Sequence, residues 1–125
     1  MTVPLKMLIV DDSNIIRRKI ERGSDGEMFK VVGSADSGVA AIEKFKALKP
    51  DVVTMDLTMP KMDGIECISN LISIDPKARI LVVSALSDKA TGIEALEKGA
   101  RGFLCKPFDE KKLSDALKEL VQDYV

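Results

Sequence analysis

The chain has no histidine. That excludes imidazole general-base catalysis, imidazole metal ligation and a phosphohistidine on these 125 residues. Its two cysteines, Cys67 and Cys105, stand 38 positions apart with no CxxC spacing. Zinc binding and dithiol chemistry are therefore disfavoured, and both thiols are expected to be free and buried. No apolar run approaches the roughly 18 residues that a membrane span needs. Met1-Thr2-Val3-Pro4 lacks the charged and apolar regions of a signal peptide, so the cytoplasm is the expected compartment and no membrane is an expected partner. Excess positive charge is missing too: 19 basic residues face 20 acidic ones, for a net charge of -1. Such a balance supplies no overall field to hold nucleic acid or an anionic lipid surface. No linker or low-complexity segment interrupts the chain. Its length suits a single domain, residues 1–125, and 46% hydrophobic residues suffice for a core at this size.

Short apolar runs alternate with longer amphipathic stretches, in five repeats of strand then helix. Strands are predicted at about 6–10, 29–35, 51–56, 79–84 and 102–105. Several are continuous apolar runs, as strands covered on both faces require, and parallel strands need helical crossovers of this kind. Between them, apolar residues recur at three- or four-residue spacing: Ile16 and Ile20; Ile42, Phe45 and Leu48; Ile65, Ile68, Leu71 and Ile72; Ile93 and Leu96. These read as stripes facing a core. The last helix carries Leu113, Leu117, Leu120, Val121 and Tyr124 in the same way. Punctuation agrees with these boundaries. Lys49-Pro50 ends the second helix, Asp63-Gly64 turns into the third, Asp75-Pro76 leaves it, and Gly99 suits a helix C-cap. The fold class is α/β, a doubly wound parallel sheet.

Three of the predicted strands end in charge. Asp11-Asp12 follows Met7-Leu8-Ile9-Val10, Asp56 follows Val52-Val53-Thr54-Met55, and Lys106 follows Phe103-Leu104-Cys105. In a doubly wound sheet the carboxyl ends of the strands share one edge, where ligands collect. Residues about 45 positions apart then meet in one site. Carboxylates crowded to about 4 Å repel by roughly 4 kcal/mol per pair at an effective dielectric near 20, so they need a cation or partial protonation. An oxygen-only donor set suits Mg2+, which takes few carboxylates and commonly completes its shell with a phosphate oxygen. Singly, these residues have plainer readings. Asp12 and Ser13 can cap the first helix, Asp63 can start a turn, Lys106 can be a solvated strand-end charge, and Met59 and Met62 can pack a loop. Those readings do not explain why acids should gather on one sheet edge.

Asp11-Asp12-Ser13, the run from Met55 to Gly64 (MDLTMPKMDG), Val83-Ser84-Ala85 and the run from Phe103 to Phe108 (FLCKPF) occur in that order at strand ends. Together they resemble a response-regulator receiver domain, most closely the stand-alone chemotaxis regulators of the CheY type, over nearly the whole chain. The resemblance implies a flavodoxin-like fold with strand order 2-1-3-4-5 and five helices. It makes Asp56 the phosphoacceptor and Asp12 a direct Mg2+ ligand, with Asp11 acting mainly through water. Thr58 would lend its backbone carbonyl. Lys106 would neutralise phosphoryl oxygens, the Ser84 hydroxyl would bond one of them, and Thr58 and Ala85 would also contact the phosphoryl group. Thr58 and Leu86 would control water access and hence dephosphorylation. Ser84 and Phe103 would form the switch, driving a change on the face of the fourth helix, fifth strand and fifth helix. Phe103 departs from the tyrosine often found in chemotaxis regulators, so a contact needing a phenolic hydroxyl is not expected. The Lys106-Pro107 bond resembles one that is cis in the family.

The implied function is a two-component switch rather than an enzyme, although it assists its own phosphorylation and dephosphorylation. Implied partners are a CheA-like histidine kinase, the flagellar motor switch protein or another protein effector, and a phosphatase, without direct contact to nucleic acid. One alternative is a receiver that forms part of a longer DNA-binding or methylesterase regulator. Another is a Mg2+-dependent phosphatase with an aspartate nucleophile, of the haloacid-dehalogenase kind. That chemistry needs a second acid two residues after the nucleophile, where Thr58 stands. A nucleotide- or flavin-binding module needs a first turn rich in glycine or small donors, whereas Asp11-Asp12-Ser13-Asn14 would repel a phosphate in the absence of metal.

Overall fold

The computed structural model describes residues 4–24, 26–59, 62–85 and 89–124. Five strands, β1 (Leu5–Val10), β2 (Phe29–Ala35), β3 (Val52–Met55), β4 (Arg79–Ser84) and β5 (Gly102–Cys105), alternate with five helices. The helices are α1 (Asn14–Ser24), α2 (Gly38–Leu48), α3 (Gly64–Ile74), α4 (Lys89–Glu97) and α5 (Glu110–Val121). All strand pairs are parallel, in the order β2-β1-β3-β4-β5. This is the flavodoxin-like doubly wound arrangement, with its reversal between β1 and β3.

Period-two alternation in the strands splits the core into two layers. Leu8, Val10, Val53, Met55, Ile80 and Val82 face one side and pack with Phe45, Ile68, Leu71 and Ala95 of α2, α3 and α4. Met7, Ile9, Val52, Leu81 and Val83 face the other, under Ile20 of α1 and Leu113, Leu117 and Leu120 of α5. Because both faces are covered, β3 is buried at every residue and reads as an unbroken apolar run.

Local chemistry stops and starts the helices where the sequence suggests. Lys49 takes a left-handed conformation (φ 49°) and its N–H bonds Phe45 O, closing α2 ahead of Pro50. Asp63 caps α3 by accepting from Glu66 N at 2.8 Å, and Gly99 turns with φ 122° after α4. Three expectations fail. Ile93 and Leu96 are not α4's core stripe, since they are 55% and 50% exposed while Ala95 makes the buried contact. Cys67 is buried but Cys105 is exposed, because it ends β5, the last strand at the sheet's edge. Tyr124 lies beyond α5 and hydrogen-bonds Asp51 rather than extending the helix's apolar stripe.

Candidate functional site

Three main-chain hydrogen bonds carry the parallel ladder one residue beyond the strands, and each ends on a charged residue. Asp11 N donates to Ala35 O at 3.0 Å, Asp56 N to Val10 O at 2.9 Å, and Lys106 N to Ser84 O at 2.9 Å. The sheet itself therefore fixes the backbone from which the acid, acid and base project. Asp11 and Asp56 are 1% and 3% exposed, whereas Asp12 is exposed. One carboxylate oxygen from each of Asp11, Asp12 and Asp56 lies within 4.8 Å of the others.

Lys106 Nζ reaches Asp11 Oδ2 at 2.8 Å and Asp56 Oδ1 at 3.7 Å. Asp11 Oδ1 also accepts from Ser13 N at 2.9 Å, so both its oxygens are engaged. Asp56 is less well supplied: Thr58 N and the Thr58 hydroxyl approach its Oδ1 at 3.3 and 3.5 Å. Burial, and next the Asp11 charge, push the Asp56 carboxyl above its ordinary value, against the lowering influence of Lys106 and the Thr58 N–H. Among the described residues, the cluster sets three carboxylates against the one ammonium of Lys106. Oxygen donors only, two of the three carboxylates buried, and an open side at exposed Asp12 fit a small hard divalent cation that retains water.

Of the remaining predicted residues, Thr58 touches Asp56 and Ser84 lies beside Lys106 at the end of β4. Thr58 is exposed at the rim of the site and Ala85 is exposed directly after β4. Ser84 is fully buried. Phe103 is half-buried against the α2–α4 core layer. A Cβ built on Gly92 of α4 would lie 3.6 Å from the Phe103 ring, which puts this aromatic directly beneath α4. Leu86 lies outside the described residues. The Lys106-Pro107 bond is cis. Ser13 and Asp63 serve as caps, Ser13 Oγ accepting from Ile16 N at 3.3 Å.

Sequence reasoning missed two supports of the site. Arg17 Nη1 donates to Asp11 O at 2.7 Å and Nη2 to Asn14 Oδ1 at 3.2 Å, bracing the turn that presents the acid pair. From the sequence, Gly64 is a turn residue that closes the Met55 to Gly64 run, without a stated contact to Asp56. A Cβ there would fall 2.4 Å from Asp56 O and 2.6 Å from Leu57 Cα, and its N–H bonds Leu57 O at 3.0 Å. Glycine is thus required for the loop after β3 to close back on Asp56.

Comparison with known proteins agrees with this geometry. The profile of the response regulator receiver domain matches residues 7–118, and the chain belongs to that family. It is the CheY-like receiver domain of a two-component response regulator. The chemotaxis protein CheY of Thermotoga maritima is 43% identical over 115 residues, which span 92% of this chain and 96% of that protein. A protein-glutamate methylesterase/protein-glutamine glutaminase of Idiomarina loihiensis is 42% identical over 129 residues, covering 100% of this chain but 33% of the longer protein. Among solved structures, a chain in the CheX–CheY–BeF3–Mg2+ complex from Borrelia burgdorferi superposes with a TM-score of 0.90 at 37% identity. That match covers 94% of this chain and 90% of the other.

Proposed function

We propose that Asp56 accepts a phosphoryl group from a histidine kinase in a Mg2+-dependent reaction, and that the resulting aspartyl phosphate controls a protein partner. The observation that carries this reading is the meeting of Asp11, Asp12 and Asp56 within 4.8 Å, with Lys106 at 2.8 Å from Asp11 and 3.7 Å from Asp56. The carboxylates of Asp11, Asp12 and Asp56 and the Thr58 carbonyl would hold the ion. When bound, Mg2+ supplies positive charge to the phosphoryl oxygens and relieves the repulsion among the acids.

The chain's own residues do the rest. An Asp56 oxygen attacks phosphorus in line; a new O–P bond forms as the donor's P–N bond breaks, and the imidazole leaves with the electron pair and takes a proton. Lys106 stands where it can turn from Asp56 to a phosphoryl oxygen without leaving Asp11, offsetting charge during transfer. The Ser84 hydroxyl and the backbone at Ala85 complete the oxygen contacts, and Thr58 and Leu86 limit water's approach to the acyl phosphate. Because the phosphoryl group ends on the protein itself, the chain acts as a stoichiometric switch rather than a turnover catalyst. Ser84 moving towards the phosphoryl group would let Phe103 repack under α4, altering the α4–β5–α5 face.

Similarity to CheY over almost its entire length supports a chemotactic output, with a CheA-like kinase as donor and the flagellar motor switch as partner in the cytoplasm. The 42% identity to a methylesterase supports a second output, control of a linked enzymatic domain. The core reading is tested by intact-mass spectrometry after incubation with acetyl phosphate and Mg2+, with and without chelator. A Mg2+-dependent phosphoryl adduct that is absent from Asp56→Asn is the expected result; an adduct of equal yield in the variant would refute it.

A further inference from the structure

We infer that Lys19, on α1, is a positioning residue for Lys106. The inference rests on the phosphoacceptor reading. Lys19 Nζ donates to the Phe108 carbonyl and lies 4.5 Å from the centroid of the Phe108 ring. Phe108 is two residues past Lys106, and the intervening Pro107 has one backbone torsion fixed by its ring. A restraint on the Phe108 carbonyl therefore reaches Lys106 through few soft torsions. From the other side Lys106 is held by its N–H to Ser84 O at 2.9 Å.

The packing of α1 on α5 makes this reach available. Gly23 is four residues after Lys19, hence on the same face of α1. A Cβ on Gly23 would fall 2.9 Å from Leu113 Cδ2 and 3.4 Å from Glu110 Cγ, so the missing side chain lets α1 approach α5. One turn earlier, that face meets the entry to α5, and Lys19 lines the cleft between them. The cleft there, about 560 Å3, is also lined by Asp109 and Glu110. Asp109 caps α5 by accepting from Lys112 N at 2.8 Å, and the Lys19 ammonium goes instead to the Phe108 carbonyl and ring. The helix that begins beside the acid pair thus also secures the loop that carries the base, setting acid and base in a common frame.

The test compares the native chain with Lys19→Met, Lys19→Arg, Lys106→Ala and the Lys19→Met/Lys106→Ala double variant. Phosphorylation rate with acetyl phosphate is measured at saturating Mg2+, and urea unfolding is followed in parallel. Main-chain amide resonances of Asp11 and Lys106 are recorded in the metal-free protein. Lys19→Met is expected to slow phosphorylation about tenfold, because small misplacements of catalytic groups carry effects of that order. Lys19→Arg, which keeps a cation able to lie over the Phe108 ring, should stay within about twofold of native. In the Lys106→Ala background Lys19→Met should add nothing, the non-additivity expected of one residue acting through another. A native rate in Lys19→Met, or an effect that persists undiminished without Lys106, overturns the inference. Should the native protein itself take no phosphoryl group, the phosphoacceptor reading fails separately. The metal-free amides then decide: shifts at Asp11 and Lys106 in Lys19→Met support positioning, and unshifted resonances overturn it.

Discussion

Asp56 pays for its place in the cluster. It is 3% exposed, and burial together with the Asp11 charge raises its pKa above the ordinary 3.8. The native state therefore binds the Asp56 proton more tightly than the unfolded chain does, and stability falls as pH rises from 3.8 through the raised value. The Asp56 charge is thus a net liability to the metal-free fold. Asp56→Asn removes the charge while keeping the shape, so metal-free Asp56→Asn is expected to be more stable than native at pH 7. The difference should shrink at pH 3, below the unfolded value. Urea unfolding at the two pH values in chelator checks this; a variant less stable than native at pH 7 would contradict the electrostatic account. Added Mg2+ should narrow the gap at pH 7, because a cation binds more tightly to, and so stabilises more, the chain that keeps all three acids.

Among the elements, the join of β3 to α3 is tightly constrained at Gly64. It must leave Asp56, bend, and return so that Gly64 N bonds Leu57 O. Gly64→Ala would force a methyl into space where Asp56 O lies at 2.4 Å. The atom met is backbone and cannot rotate away, so the loop and the phosphoacceptor must shift together. Gly64→Ala is predicted to slow phosphorylation by roughly 10- to 100-fold, given what misplaced reacting groups cost. Stopped phosphorylation time courses read this directly, and a native rate would show that the loop has room to yield.

Strands buried on both faces announce themselves as apolar runs, and caps such as Asp63 and stops such as Lys49-Pro50 act through local chemistry, so these were legible. Helix α4 departs from its sequence pattern because spacing reports a stripe without saying which face the sheet receives; the small Ala95 takes that role and leaves Ile93 and Leu96 outward. The acids and Lys106 were legible because strand ends of a doubly wound sheet converge. Arg17 and Lys19 were not, since a long cation on a helix looks the same whether it bonds a distant carbonyl or water.

At the scale of the whole molecule, α5 joins the two edges of the sheet. Its entry follows Lys106 at the acid site, and its exit is tied to the opposite edge. There Arg79 Nη1 donates to Leu120 O at 3.2 Å and to Asp123 Oδ1 at 2.8 Å. The Tyr124 hydroxyl donates to Asp51 Oδ1 at 3.0 Å, while Asp51 Oδ2 accepts from Lys6 N at 2.9 Å. Asp51 thus links β1, the entry to β3 and the end of the chain's last helix. Burial, and then Asp51, raise the Tyr124 phenol above its ordinary value, so the hydroxyl keeps its proton throughout the neutral range and loses it only as pH rises through that raised value. Tyr124→Phe removes this bond and leaves the ring on Arg79, 5.4 Å from its centroid. The expected loss is about 0.5–1.5 kcal/mol, the usual net worth of one hydrogen bond, read as a lower urea midpoint with an unchanged slope. Asp123→Ala should leave the midpoint in place, because that carboxylate is 72% exposed and its ion pair is screened by water. Neither substitution should alter the rate of phosphorylation at Asp56, on the far edge of the sheet. A Tyr124→Phe protein that phosphorylates slowly at native stability would mean that the two edges communicate through α5, and that the helix is more than a cover for its side of the core.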